Sequence, residues 1–89
     1  MVQVVFTPNL QRHVSCPPSV ADASSVRAAL DLVFAVNPLL RSYVVDEQGR
    51  LRKHINVYVN DRMVNDRIAL SDAVASSDEI FVFQALSGG

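Results

Sequence analysis

The sequence predicts an α+β domain in which a mixed sheet of four to five strands lies against one main helix. An apolar residue recurs at every second position over residues 2–6 and again over residues 55–59, which is the period of a half-buried strand. Between these segments lies one apolar stripe at helical spacing, formed by Val26, Leu30, Val33 and Phe34. A single amphipathic helix on one face of a sheet buries the apolar surfaces of both, so the pattern favours this architecture.

The first half of the chain is predicted to hold two strands and the helix. The opening strand stops at the turn sequence Thr7-Pro8-Asn9. Residues 14–20 could return as a second strand, but Pro17-Pro18 either breaks it or confines it to a sheet edge, because proline donates no ladder hydrogen bond. Asp22 or Ser24 is expected to cap the helix, and Asn37-Pro38 to end it.

The second half is predicted to hold the remaining strands. A short turn packed on the core is expected at Leu39, Leu40 and Tyr43. The strand over 51–60 directs Ile55, Val57 and Val59 to one side. We expect a short strand at 63–64, a helical turn at 71–74, a turn at 76–79 and a last strand over 80–83.

Length and composition indicate one ordinary globular domain. The chain has 89 residues, 49% of them apolar, and a formal net charge of −1, so no global field attracts it to nucleic acid or to an anionic membrane. No apolar run approaches the roughly 20 residues that cross a bilayer. The lone Cys16 cannot form an internal disulfide, which fits a cytoplasmic location.

One short basic run interrupts the otherwise balanced charge. Arg50, Arg52 and Lys53 precede His54 at the start of the central strand. The run could contact phosphate or an acidic partner, but we interpret it as a solvated turn, since a binding face needs more than one short run.

The sequence contains no recognisable catalytic or metal-binding constellation. His13 and His54 are far apart, and neither has metal-ligand spacing to Cys16 or to a carboxylate. Only Gly49 lies outside the tail, so there is no glycine-rich phosphate loop. We therefore expect no catalytic residue, no metal and no bound cofactor, and we predict a carrier, modifier or binding module.

The tail suggests how such a protein would act. Two of the three glycines are the last two residues, Gly88 and Gly89, and they follow the small Ser87. Glycines carry no side chain to clash in a narrow slot and reach backbone angles closed to other residues. They would let a terminal carboxylate reach the α-phosphate of ATP in a partner enzyme, which converts it to an acyl-adenylate.

The last strand is predicted to carry a partner-binding surface. If Ile80 and Val82 point into the core, Phe81 and Phe83 point to the opposite face, beside Tyr58. Exposed apolar patches on small proteins mark partner sites. The alternative is that another part of the chain covers this face.

The chain resembles the ubiquitin-like sulfur carriers of the MoaD/ThiS type, and especially the longer MoaD- and CysO-like members. The resemblance covers nearly the whole chain: an opening strand, a capped helix, the segment His54-Ile-Asn-Val-Tyr-Val-Asn-Asp61, an acidic turn and the terminal Gly-Gly. It implies a β-grasp fold with the first and last strands adjacent at the centre of the sheet. It also implies a single domain over residues 1–86 and a flexible tail over residues 87–89.

The resemblance further implies a role for the tail and a set of partners. An E1-like enzyme, using ATP, would adenylate Gly89, with Gly88 threading the slot. Sulfur from a donor enzyme would then replace the AMP of the adenylate, which gives a thiocarboxylate at Gly89. A synthase, such as a larger synthase subunit, would accept that sulfur, and the carboxylate would be regenerated. The chain itself would be a cosubstrate and not an enzyme. Partner contacts are expected at Tyr58, Phe81, Phe83, Ala85, Leu86 and Ser87.

Two departures leave the accepting pathway open. Gln84 stands where many longer members have proline, and Ser76-Ser-Asp78 stands where many have Asp-Gly-Asp. The first departure weakens a specific assignment to molybdopterin synthesis, and the second should change only the geometry of the turn. The acceptor pathway stays open between molybdopterin, cysteine, thiamine and a specialised thio-metabolite; molybdopterin- and cysteine-type pathways are favoured, since thiamine carriers are usually shorter than this chain. The alternative function is that of a ubiquitin-like modifier joined through Gly89 to target lysines. A third possibility is a pure interaction domain with an incidental tail.

Overall fold

The computed structural model describes residues 1–7 and 17–84, which form five strands and two helices. The strands are β1 (Val2–Phe6), β2 (Ser19–Ala21), β3 (Ile55–Val59), β4 (Arg62–Met63) and β5 (Glu79–Gln84). The helices are α1 (Val26–Val36) and α2 (Pro38–Val44). The predicted mixed sheet with one main helix is confirmed, with α2 as a short second helix where a turn was expected.

The sheet has the order β2-β1-β5-β3-β4, so the last strand lies at its centre. β5 pairs in parallel with β1 and antiparallel with β3. The expected adjacency of the first and last strands is therefore confirmed. The strand before the tail pairs with β1 over residues 79–82 and with β3 as far as Gln84.

The core lies between one face of the sheet and helix α1. The predicted apolar stripe of α1 is buried, as are the predicted inward residues of β3 and β5: Ile55, Val57, Val59, Ile80 and Val82. Within the described residues, no polar or charged residue is buried. In α2 only part of the expectation holds: Leu40 is buried, whereas Leu39 is 60% exposed and Tyr43 is 37% exposed.

Helix α1 begins one residue later than a cap at Ser24 would place it, and three residues later than a cap at Asp22. The cap is Ser25, whose hydroxyl accepts a hydrogen bond from the Ala28 amide at 3.1 Å. Asp22 and Ser24 do not cap it. The first two amides of the helix, those of Val26 and Arg27, donate hydrogen bonds to carbonyls of the loop before β5. The backbone thus stays extended up to Ser25, which forms an isolated antiparallel β-bridge with Ala73.

Residues 65–74 form an irregular loop, so the helical turn predicted over residues 71–74 is wrong. The Asp72 carboxylate accepts from the amides of Asn65 and Asp66, which closes the loop. Carboxylates that bind nearby amides favour turns over helix. The Arg27 side chain joins this loop to the turn before β3, donating to the carbonyls of Ile68, Ala69 and Gly49.

Gly49 completes the turn at residues 46–49. Its φ of +82° lies in the region that L side chains rarely adopt, and an added Cβ would lie 3.3 Å from the Arg27 guanidinium. The turn predicted there is confirmed, as is the turn before β5. The strand predicted over 14–20 is observed only at its C-terminal end, as the edge strand β2; residues 14–16, like His13, lie outside the described residues.

Candidate functional site

The candidate site begins where β5 ends. Gln84 pairs with Ile55 at the last step of the β3–β5 ladder. The five residues that follow, 85–89, are called the tail from here on. The tail residues predicted to carry the chemistry and part of the partner contact (Ala85, Leu86, Ser87, Gly88 and Gly89) lie outside the described residues. What the structure provides is the base of the tail and the surface around it.

The aromatic residues predicted for partner contact do lie together. Tyr58 stands opposite Phe81 in the β3–β5 register. The ring centroids of Tyr58 and Phe83 are 5.4 Å apart with planes inclined at 38°, a favourable aromatic arrangement. All three side chains are only partly buried. The structure therefore brings the predicted trio together on the sheet face that points away from the core.

Strict alternation along β5 explains this arrangement. Ile80 and Val82 are fully buried, so Phe81 and Phe83 must project from the other face. The backbone of Phe81 pairs with β1 and β3, and that of Phe83 pairs with β3. The phenylalanines are therefore presented by the central strand of the sheet.

The surface extends beyond the predicted residues on both sides. Val5 is the β1 partner of Phe81, and Met63 is the β4 partner of Tyr58. Val5 is partly buried and Met63 is 45% exposed. We call the set Val5, Tyr58, Met63, Phe81 and Phe83 the outer-face patch. Alternation in β1 marks Val5 as outward, but only strand order shows that it neighbours Phe81.

A polar rim borders this patch near the base of the tail. Asn56 stands opposite Phe83, and its side-chain oxygen accepts a hydrogen bond from Arg67 at 3.0 Å. The same guanidinium donates to the carbonyls of Arg52 and Ile55. An apolar centre with a hydrogen-bonded polar rim is the usual anatomy of a protein–protein interface.

Asp66 orders the loop that carries Arg67. Its carboxylate accepts the Ser71 hydroxyl at 2.6 Å and the amides of Ile68, Ala69 and Ser71. These hydrogen bonds, that of the Ser71 hydroxyl first, lower the pKa of Asp66 to about 2. The carboxylate is therefore ionised at neutral pH and serves to hold the loop.

The described residues contain no grouping that would serve as a metal centre. No three His, Cys, Asp or Glu side chains over 1–7 and 17–84 lie close enough to hold a metal ion. His54 is exposed at the turn before β3. In the same parts of the chain, neither helix is long and apolar enough to cross a membrane.

A central strand that delivers a glycine-terminated tail, beside an outward apolar patch, defines a ubiquitin-like β-grasp protein. Residues 13–89 match the ThiS family, so the match covers most of the chain. The chain belongs to this family of ubiquitin-like sulfur carriers and small modifiers.

Curated proteins and solved structures similar to this chain include a small archaeal modifier protein and a CysO chain. Small archaeal modifier protein 1 of Haloferax volcanii is 38% identical over 66 residues, which is 74% of this chain and 71% of that protein. The crystal structure of that organism's SAMP1 superposes with a TM-score of 0.81 at 30% identity, covering 99% of this chain and 98% of the other. A chain of the Amycolatopsis orientalis BexX/CysO complex gives 0.82 at 28% identity, with full coverage of both.

Proposed function

We propose that this protein is a sulfur carrier whose terminal Gly89 is adenylated by an E1-like enzyme and then converted to a thiocarboxylate. The observation that carries the proposal is the family match, which extends to Gly89 itself. The tail it reaches follows a central strand beside an apolar partner surface. The protein would act as a cosubstrate, with ATP bound by the activating enzyme.

The chemistry needs little from this chain besides its carboxylate. A Gly89 oxygen attacks the α-phosphate of ATP and pyrophosphate leaves. A persulfide on a donor protein then attacks the acyl carbon, and AMP leaves. A thiol cleaves the sulfur–sulfur bond of the resulting acyl disulfide, which frees the thiocarboxylate and leaves the donor as a disulfide. The thiocarboxylate sulfur then attacks the acceptor, and water cleaves the acyl–sulfur bond, so the sulfur stays on the acceptor and the carboxylate returns. Gly88 and Gly89 allow the approach because neither carries a side chain.

The outer-face patch would supply the recognition. Its aromatic residues occupy fixed positions beside the base of the tail, and aromatic residues contribute disproportionately to protein–protein binding. A relative in complex with a second protein, the BexX/CysO pair, supports the expectation of a stable partner. We favour a molybdopterin- or cysteine-type acceptor pathway, with a synthase as the sulfur acceptor.

Deletion of Gly89 tests the proposal. Full-length and truncated protein are each incubated with the host's E1-like enzyme, and ATP–pyrophosphate exchange is measured. The truncated chain should retain its melting temperature and lose exchange, because the deletion lies five residues beyond Gln84, where β5 ends. Equal exchange by the two proteins would contradict the proposal.

A second function, that of a protein modifier, is favoured by a specific observation: the relative at 38% identity is named a modifier. In that case Gly89 would form an isopeptide bond with lysines of other proteins. No Lys or Arg follows Arg67, so trypsin would leave the bulky branch 68–89 on a target lysine. A Ser87→Arg variant shortens the branch to Gly-Gly, which mass spectrometry detects on target lysines. Such branches on host proteins would establish the modifier function.

A further inference from the structure

A basic surface lies at the base of the tail, and the function proposed above does not use it. Its members are Arg50, Arg52, Lys53 and Arg67. The first three occupy the segment before β3, and Arg67 reaches the same place by hydrogen bonds to the Arg52 and Ile55 carbonyls. The register of Ile55 with Gln84 puts this segment beside the end of β5. A run of three charges in the sequence thus becomes a four-residue surface next to the tail.

Most of this charge is not neutralised by the described part of the chain. Only two ion pairs form over residues 1–7 and 17–84: Arg27 with Asp31, and Arg50 with Asp46. The Arg52 and Arg67 guanidinium groups bind carbonyl and amide oxygens, which leaves their charge in place. Lys53 is exposed and lines a shallow depression together with Arg50, Arg67 and Asp46, the ion-pair partner of Arg50. The exposed Ile68 forms part of the same depression.

The opposite end of the sheet is acidic. Asp78 and Glu79 lie at the start of β5, and Asp61 lies in the β3–β4 turn. Asp22 lies at the same end of the sheet, because it follows Ala21, the β2 partner of Val2. Arg62 is the cation in this group. Asp46 and Glu47 lie beside the basic surface, where the four cations outnumber them, whereas carboxylates outnumber cations at the opposite end. The charge is therefore polarised along the strands, with the positive end at the base of the tail. Such a charge distribution orients a protein during encounter with a charged partner.

We propose that the basic surface docks on an acidic surface of the activating enzyme at the mouth of the slot that receives the tail. The inference rests on the proposed function, since it assigns the partner of the same tail. Positive charge beside the tail would raise the rate of productive encounter and bring the tail-bearing end of the molecule in first. The exposed Ile68 would add an apolar contact inside the charged rim.

Three single variants test this inference in the full-length protein with the host's E1-like enzyme. Lys53→Glu reverses one charge of the basic surface at an exposed position. Lys53→Arg keeps the charge and removes the amine, so it separates docking from any use of Lys53 as a conjugation site. Arg62→Glu makes the same reversal at the acidic end. The measurement is kcat/KM of pyrophosphate exchange, taken as a function of salt concentration.

Lys53→Glu should lower kcat/KM by about tenfold at low salt, and the difference from the native protein should shrink as salt screens the charges. Lys53→Arg should match the native protein, and Arg62→Glu should change the value by less than about twofold. Equal reductions of kcat/KM by Lys53→Glu and Arg62→Glu, or a native kcat/KM for Lys53→Glu, would overturn the docking of the basic surface and leave the proposed function standing. Absence of exchange with the native protein would instead refute the proposed function, and with it this inference.

Discussion

The rings of Tyr58 and Phe83 lie 5.4 Å apart on the outer face of the sheet, diagonally across the ladder that joins β3 to β5. The two rings contact each other on the outer face of β3 and β5. The tail, residues 85–89, directly follows β5 in the chain. A partner that binds these rings is brought directly to the base of the tail. In the proposed function, the two neighbouring strands β3 and β5 would provide recognition, and β5 would also lead to Gly89.

Truncation of Phe83 tests this relationship. Phe83→Ala should raise KM for activation by the E1-like enzyme about tenfold, as expected when an aromatic contact near an interface centre is removed. Leu39→Ala is the matched control, since Leu39 is 60% exposed on helix α2. Equal KM values for the two variants would show that the outer-face patch does not bind the enzyme.

Two leucines of α1 test the assignment of the core. Leu30 is fully buried and Leu32 is 49% exposed on the same helix. Leu30→Ala should reduce the free energy of unfolding by about 2–5 kcal/mol, because it leaves a cavity that neighbours fill only in part. Leu32→Ala should change it by less than about 0.5 kcal/mol. Urea titrations give both values, and a similar loss for both variants would contradict the core described above.

Adjacent serines test the observed helix cap. Ser25→Ala removes the acceptor of the Ala28 amide and should cost about 1 kcal/mol of unfolding free energy. Ser24→Ala leaves the bond between its backbone carbonyl and Val74 in place and should be nearly neutral. The same urea titrations distinguish them. A larger loss for Ser24→Ala would mean that the helix starts where the sequence first indicated.

The low pKa of Asp66 predicts part of the acid sensitivity of the fold. Hydrogen bonds from Ser71 and neighbouring amides lower this pKa from 3.8 to about 2. A carboxylate with a lowered folded-state pKa stabilises the protein above its unfolded-state pKa, and this contribution disappears as pH falls from about 4 to about 2. Asp66→Asn should therefore be less stable than the native protein at pH 7.

The pH dependence of unfolding distinguishes this effect from a general loss of stability. The difference between Asp66→Asn and the native protein should narrow as pH falls from about 4 to about 2, as the native carboxylate takes up its proton. Asp61→Asn, which changes an exposed carboxylate in the β3–β4 turn, is the control. A difference that stays constant across this range would refute the role of the Asp66 carboxylate.

Local patterns predicted much of the fold. Strict alternation gave the buried and outward faces of β1, β3 and β5, because side-chain direction in a strand depends only on position. That is why Phe81, Phe83 and Tyr58 could be grouped in advance. Helical spacing likewise identified the buried stripe of α1.

Features that depend on tertiary contact could not be predicted in the same way. The cap fell on Ser25 because Ser24 and Ser25 pair with the loop at residues 73–74, a contact distant in sequence. Residues 71–74 failed to form a helical turn because Asp66 and Asp72 bind the loop amides. Met63 joined the outer-face patch only through strand pairing, and Arg67 joined the basic run only through the folded loop.

The central claim is that Gly89 carries a thiocarboxylate, and mass spectrometry of the C-terminal peptide tests it most directly. Trypsin cutting after Arg67 releases residues 68–89, which contain no Met or Cys, so oxidation of a sulfur side chain cannot imitate the exchange of oxygen for sulfur. The protein is taken from its host or from a reaction with the E1-like enzyme, ATP and a sulfur source. We expect an oxygen-to-sulfur exchange located at Gly89. A peptide that stays unmodified while adenylation is demonstrated would contradict the carrier function.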